Sequence, residues 1–362
     1  MREQPGQLVL LGSGETSPSG RRVFDWIFQR LPSPIKLAIL ETPAGFQPNS
    51  ALVAGKVAEF VSEHLTNYTL ETTIVPARRR ETSASPDDPA LADLVLGADC
   101  IFLGPGSPTY AVRQLRESLV WDAARVRFAN GATLILASAA VLALSAYTLP
   151  VYEIYKAGAD LGWERGLDLL GPAGPTVVFV PHWNNREGGA ELDTSHCFVG
   201  SDRFAQLQRL LPAPATIIGI DEHTAFVVEP STESALVIGP GGVTIVGPGD
   251  TSYFGNGSRV PLGQLGKLDW SAFGRSLPPA LLERAETTRP PALLNGPSDA
   301  VIPMEVLELV ERRENARRQR DWKAADAIRA DLAGRGFEVR DTPEGPRVSR
   351  LGDRSDAVAK PS

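Results

Sequence analysis

Of the residue types able to attack a carbonyl carbon, Ser138 has the most telling neighbours. The run Ala132-Thr-Leu-Ile-Leu-Ala-Ser138-Ala-Ala-Val-Leu-Ala-Leu-Ser145 takes a buried apolar strand into a serine flanked by small residues, and a helical pattern follows at once. That is the pattern of a nucleophile elbow, in which a tight strand-to-helix turn lifts the hydroxyl above a sheet and leaves no room for large neighbours. The start of the next helix would also point free N–H groups at a developing anion. The same residues fit a plain reading in which Ser138 only caps the helix.

A serine nucleophile needs a base, and histidine titrates closest to neutrality. The chain has four histidines: His64, His182, His196 and His223. His182 ends the apolar run Val177-Val-Phe-Val-Pro-His182-Trp-Asn-Asn, at the carboxyl edge of a strand where the sites of open α/β sheets gather. His196, in Asp193-Thr-Ser-His-Cys-Phe, is the alternative base. His64 reads as a solvated helix end, and His223, in Ile220-Asp-Glu-His-Thr, as part of a turn. The loop Phe102-Leu-Gly104-Pro-Gly106-Ser-Pro-Thr-Tyr110 could offer backbone N–H groups to an oxyanion, or could be only a tight turn. No glycine-rich loop here is followed by Gly-Lys-Ser/Thr or completes a dinucleotide spacing, so a phosphate or nucleotide site is not indicated.

These residues must be held by elements that alternate in the α/β manner. Leu8 to Gly12, Lys36 to Glu41, Tyr68 to Val75, Cys100 to Gly104, Thr133 to Ala137 and Thr176 to Val180 read as strands, with amphipathic helices between the early ones. From Ala215 to Leu262 short β-rich runs separated by Gly-Pro turns predict an antiparallel finish at one sheet edge. Asp269 to Ser298, rich in proline and polar residues, reads as a linker in which Leu281-Leu282-Glu283 could form a helical turn. Glu305 to Arg318 and Trp322 to Ala333 then predict a helical hairpin, with an apolar stripe of Leu309, Trp322, Ala325, Ile328 and Leu332. Two short strands around Pro343-Glu344-Gly345 follow, and a tail (351–362) poor in apolar residues reads as disordered.

A formal charge of −7 argues against a general nucleic-acid binder. Cys100 and Cys197 make no disulfide framework and sit in no metal-ligand spacing, so neither a metal nor another cofactor is expected. With no signal-like start and no apolar run long enough to span a bilayer, a cytoplasmic protein without a membrane partner is expected.

Taken in order, Gly104-Pro-Gly106-Ser, the Ser138 elbow and Pro181-His182-Trp183 resemble the glycine-rich loop, Trp-Ser-Ala-Gly-Ala elbow and Pro-His-Phe of the peptidase E and cyanophycinase family, over about Leu8 to Val246. The resemblance implies a three-layer αβα fold, flavodoxin-like and class I glutamine amidotransferase-like, with a mostly parallel sheet across residues 1–265. It also implies a serine hydrolase of small peptides or amides. By the same resemblance Glu153 would be the acid, and the Ala139 and Gly106 N–H groups would receive the oxyanion. Members that cut beside Asp use a cationic pocket, for which Arg186 and Arg203 are available. Ala140 replaces a family glycine, Pro105 lacks an N–H, and Glu153 stands where the family has Asp.

The carboxyl block resembles a second family. Arg317-Arg-Gln-Arg-Asp-Trp-Lys-Ala-Ala-Asp-Ala-Ile-Arg329 and Gly336-Phe-Glu-Val-Arg-Asp-Thr-Pro-Glu-Gly345 are similar to the carboxyl-terminal piece of cysteinyl-tRNA synthetases. No synthetase catalytic motif accompanies it. The expected organisation is therefore a hydrolase-like domain (1–265), a linker (266–300) and a separable hairpin (301–350). The leading function is a serine hydrolase acting through Ser138, His182 and Glu153. The alternative is a catalytically silent member that binds a ligand, or associates with tRNA through Arg312, Arg313, Arg317, Arg318 and Arg320.

Overall fold

A computed structural model describes residues 4–211, 215–247, 249–287, 302–342 and 345–351. Its centre is an eight-stranded sheet with helices on both faces. Five strands are parallel: β1 (Leu8–Leu11), β2 (Ile35–Leu40), β3 (Leu70–Val75), β4 (Cys100–Leu103) and β5 (Thr133–Ala137). Strand β1, Leu-Val-Leu-Leu, is buried throughout, as a central strand covered on both faces must be. Its alternate residues feed two cores. Leu8 and Leu10 join Leu134 and Leu136 on one face, while Val9 and Leu11 join Ile135 and Ala137 on the other.

Helices α1 (Pro18–Phe28) and α2 (Ser50–His64) cover the second of these faces; α3 (Pro89–Leu96), α4 (Pro108–Leu115) and α5 (Leu119–Ala129) follow later in the chain. Helix α1 begins with Pro18 after Ser17, whose hydroxyl accepts the Gly20 N–H, and buries Val23, Phe24, Ile27 and Phe28. Next come α6 (Ala139–Leu144), the short strand β6 (Tyr147–Thr148), α7 (Val151–Tyr155) and β7 (Glu164–Arg165), paired with β6.

Strand β8 (Val177–Val180), α8 (Ser201–Leu210) and β9 (Thr216–Ile220) precede the expected antiparallel run. That run divides between two sheets. Strands β10 (Ala225–Glu229), β11 (Ser234–Ile238) and β14 (Arg259–Pro261) extend the main sheet antiparallel from β1. Strands β12 (Gly242–Val246) and β13 (Thr251–Gly255) instead build a second sheet, ordered β13-β12-β9-β8. The strand leading to His182 thus belongs to this second sheet, where β8 runs parallel to β9.

The expected linker is corrected in part. Residues Trp270–Arg275 and Pro279–Glu286 form helices α9 and α10, which with the connecting Leu277 bury Phe273, Leu281 and Ala285 in the core shared with α5. A few well-placed apolar residues suffice there, without a long amphipathic run. Residues 288–301 of that stretch, Pro343-Glu344, and the tail from residue 352 lie outside the described residues.

The carboxyl block is a hairpin of α11 (Met304–Arg318) and α12 (Trp322–Gly334), closed by antiparallel β15 (Phe337–Thr342) and β16 (Gly345–Arg350). Val306, Leu309, Val310, Leu332, Phe337 and Val339 form its core. Trp322, expected in that stripe, is instead 59% exposed. The block is also less separate than its sequence suggests. Arg22 on α1 reaches Glu311 at 2.6 Å and Glu308 at 3.7 Å, Asn256 donates to Glu308 at 2.6 Å, and the Ile302 N–H donates to Gln29 Oε1 at 2.9 Å.

Candidate active site

Strand β5 ends at Ala137 and the chain turns sharply at Ser138, with φ 53° and ψ −117°. This is a sterically costly conformation for a residue with a Cβ, and such strain persists where surrounding packing fixes it. Ala139 and Ala140, both buried, give the turn room to close against the sheet. The Ser138 side chain does not cap α6, so the plain reading of a capping serine fails. Its Oγ lies 2.9 Å from His182 Nε2.

His182 follows β8 by two residues and also has positive φ, 51°. The Gly12 carbonyl accepts its N–H, and the Phe198 ring packs against the imidazole at a centroid distance of 5.4 Å. On the far side, His182 Nδ1 lies 2.9 Å from Glu222 Oε1. A carboxylate accepts, so Nδ1 carries the proton and Nε2 is left to accept from the serine hydroxyl. Glu222 is fixed by two further bonds: Asn185 Nδ2 donates to Oε1 at 2.9 Å, and the Glu222 N–H donates to Asn184 Oδ1 at 2.8 Å. The bond from His182 holds the Glu222 carboxyl below the usual carboxylate range; partial burial opposes this and the Asn185 amide assists it.

Glu222, not Glu153, therefore stands beside the histidine. Glu153 Oε1 accepts instead from Thr109 Oγ1 at 2.6 Å. One signal could have found Glu222. Strands β8 and β9 are parallel neighbours in register, and each is followed two residues later by a polar side chain, His182 and Glu222. That pairing depends on a contact between distant strands, which no local pattern reveals. His196 does not reach the site: its ring stacks on Phe204 at 4.7 Å, its Nδ1 lies 2.8 Å from Ser195 Oγ, and burial pulls its pKa down.

Ser138, His182, Ala139 and Gly106 line one cavity of about 320 Å³. Gly106 has φ 153°, and a Cβ there would lie 1.9 Å from the Pro43 carbonyl oxygen, so only glycine fits. Among the described residues, neither the Gly106 nor the Ala139 N–H has an intramolecular acceptor. Across Tyr152 and Lys156 this cavity adjoins a larger cleft of about 1090 Å³, whose lining includes Arg79, Arg113, Lys156, Glu81 and Glu153. Arg186 and Arg203, the cations expected from sequence, line neither space.

The fold is that of a peptidase. The chain is similar to the crystal structure of a peptidase from an acI-B1 Actinobacterium, with a TM-score of 0.57 and 23% identity over 72% of this chain and 98% of that one. The carboxyl block has separate relatives. Residues 299–347 match the family described as cysteinyl-tRNA ligase anticodon binding domain. The cysteine–tRNA ligases of Methanosarcina mazei and Chlamydia felis are 49% and 48% identical over 49 and 50 residues, in each case 14% of this chain and 10% of the ligase. The chain thus spans about a tenth of the length of the curated relatives it matches. Among the described residues no helix is long and apolar enough to cross a membrane.

Proposed function

We propose that this chain is a serine hydrolase that cleaves a small peptide or amide, with Ser138 as nucleophile, His182 as general base and Glu222 orienting the base. The unbroken relay from Ser138 Oγ through both imidazole nitrogens to Glu222, each link 2.9 Å, carries the reading. Ser138 Oγ attacks the substrate carbonyl carbon as His182 Nε2 takes the hydroxyl proton. The carbonyl electron pair moves onto oxygen, where the Gly106 and Ala139 N–H groups receive the charge. Collapse of the adduct breaks the C–N bond, and His182 gives its proton to the departing amine. Water, deprotonated by His182, then releases the acyl group and restores the serine.

The cations of the adjoining cleft support a substrate carrying a carboxylate. Cys100 and Cys197, both free and buried, fit a cytoplasmic setting. The test is labelling by a fluorophosphonate probe: the native chain should react and Ser138→Ala should not. Equal labelling of both, or none of either, would favour a silent, ligand-binding protein.

The family match at 299–347 favours a second role, contact with tRNA through the carboxyl block. Arg313 drops out of the expected arginine cluster, since its side chain is 4% exposed and pairs with Asp341 and Glu314. Arg320 and Lys323 lie exposed near the exposed Trp322, offering charge for a phosphate beside an indole face for a base. Two phosphate contacts would give a slope of about −1 to −2 in log K against log salt. Binding that ignores salt, or survives loss of residues 302–362, sinks this role.

A further inference from the structure

Glu153 is left without the acid role that its sequence position suggests, yet its contacts are specific. It lies on α7, and its Oε1 accepts the Thr109 hydroxyl proton at 2.6 Å. With that proton committed, Thr109 Oγ1 accepts from Ser107 Oγ, 3.0 Å away. Ser107 in turn caps α4 by accepting the Tyr110 N–H at 3.2 Å. Ser107 directly follows Gly106, which lines the cavity holding Ser138 and whose N–H has no acceptor among the described residues. The same residue is pinned through its backbone, since the Ser107 N–H donates to the Pro43 carbonyl at 2.9 Å. Ser107, the residue that carries the Gly106 peptide forward, is thus held by two anchors, the Pro43 carbonyl on its N–H and the Thr109–Glu153 chain on its hydroxyl.

We infer that Glu153 is a positioning residue that fixes the Gly106 N–H where charge develops in the transition state. The inference rests on the hydrolase reading. Removing a whole oxyanion donor costs about 10²–10³ in kcat, so a donor left in place but loosened should cost less. Because the ground-state carbonyl gains little from that donor, the loss belongs to kcat and not to KM.

The experiment follows hydrolysis of p-nitrophenyl acetate by the full chain, with unfolding midpoints recorded for each variant. Glu153→Ala should lower kcat about 10- to 100-fold, with KM within about threefold. Glu153→Gln keeps an oxygen to accept from Thr109 and should restore kcat to within about threefold of native. Thr109→Val breaks the same chain from the other side, should match Glu153→Ala, and the double variant should be no worse than either single one. A kcat for Glu153→Gln as low as for Glu153→Ala would mean that the charge matters, and would overturn the inference. So would a change confined to KM, additive losses in the double variant, or native kcat in Thr109→Val. Ser138→Ala separates the two levels: if its turnover equals native, the hydrolase reading fails and takes this inference with it. If Ser138 is required and the Glu153 series misbehaves, the inference alone fails.

Discussion

The α/β body and the carboxyl block arrange their polar side chains in opposite ways. In the body the groups that meet come from far apart: Ser138 follows β5, His182 follows β8 and Glu222 follows β9. Two of the three are held in costly backbone conformations, since Ser138 and His182 have positive φ, as do His196, Cys197 and Phe198 in the segment packed against the histidine. In the block, Arg313, Glu314, Arg317 and Asp341 satisfy one another within a single small unit. There the one described non-glycine residue with positive φ, Arg320, makes the turn between two helices. The body spends strain on a constellation, whereas the polar network around Asp341 closes within the block. A locally closed unit can retain its sequence in other chains, and this one is about half identical to segments of tRNA ligases. The body shares its fold with a peptidase at 23% identity.

The sharpest test of this contrast sets two glutamates of the body against each other. Glu222→Gln should lower kcat by about 10³, within the 10²–10⁴ range, because the amide can no longer hold the Nδ1 proton by charge and offers the wrong tautomer to His182. Glu153→Gln should stay within about threefold of native. Near-native kcat in Glu222→Gln, read in the same p-nitrophenyl acetate assay, would show that the relay through His182 ends elsewhere.

The same contrast explains what could be read from sequence. The parallel strands were legible because buried runs such as Leu-Val-Leu-Leu carry their own signal, and the Ser138 elbow because its small neighbours are contiguous. Glu222 was not, since the residues Asp-Glu-His that follow β9 look like any turn until β9 is known to lie beside β8. The split of the antiparallel run was hidden for a like reason: β11 and β12 follow each other closely, yet join different sheets. Helix α9 was read as linker, and of α10 only a turn at Leu281-Leu282-Glu283 stood out, because each is short and buries only a few side chains. Trp322 was misassigned in the other direction, as helical spacing alone cannot say which of two flanks of a stripe faces the core.

The smallest expected effect lies in the block, where local pairing meets acid. Bonds from Arg313 and Arg317 hold the Asp341 carboxyl down to about 2, from an ordinary 3.8, with partial burial opposing. Its folded-state pKa is depressed, so the pair contributes stability above about pH 4, and that contribution is lost as pH falls toward 2. The carboxylate is 44% exposed, which limits the pair to about 1 kcal/mol or less. The apolar core of Val306, Leu309, Val310, Leu332, Phe337 and Val339 does not titrate, so the loss should loosen the block without unfolding it. Amide hydrogen exchange, resolved by segment between pH 5 and 2.5, should show protection across residues 304–342 falling relative to β1 and β5 of the body. Asp341→Asn should be looser than native at pH 5 and should converge with it at the acid end. If native and variant differ as much at pH 2.5 as at pH 5, the ion pair is not what acid removes.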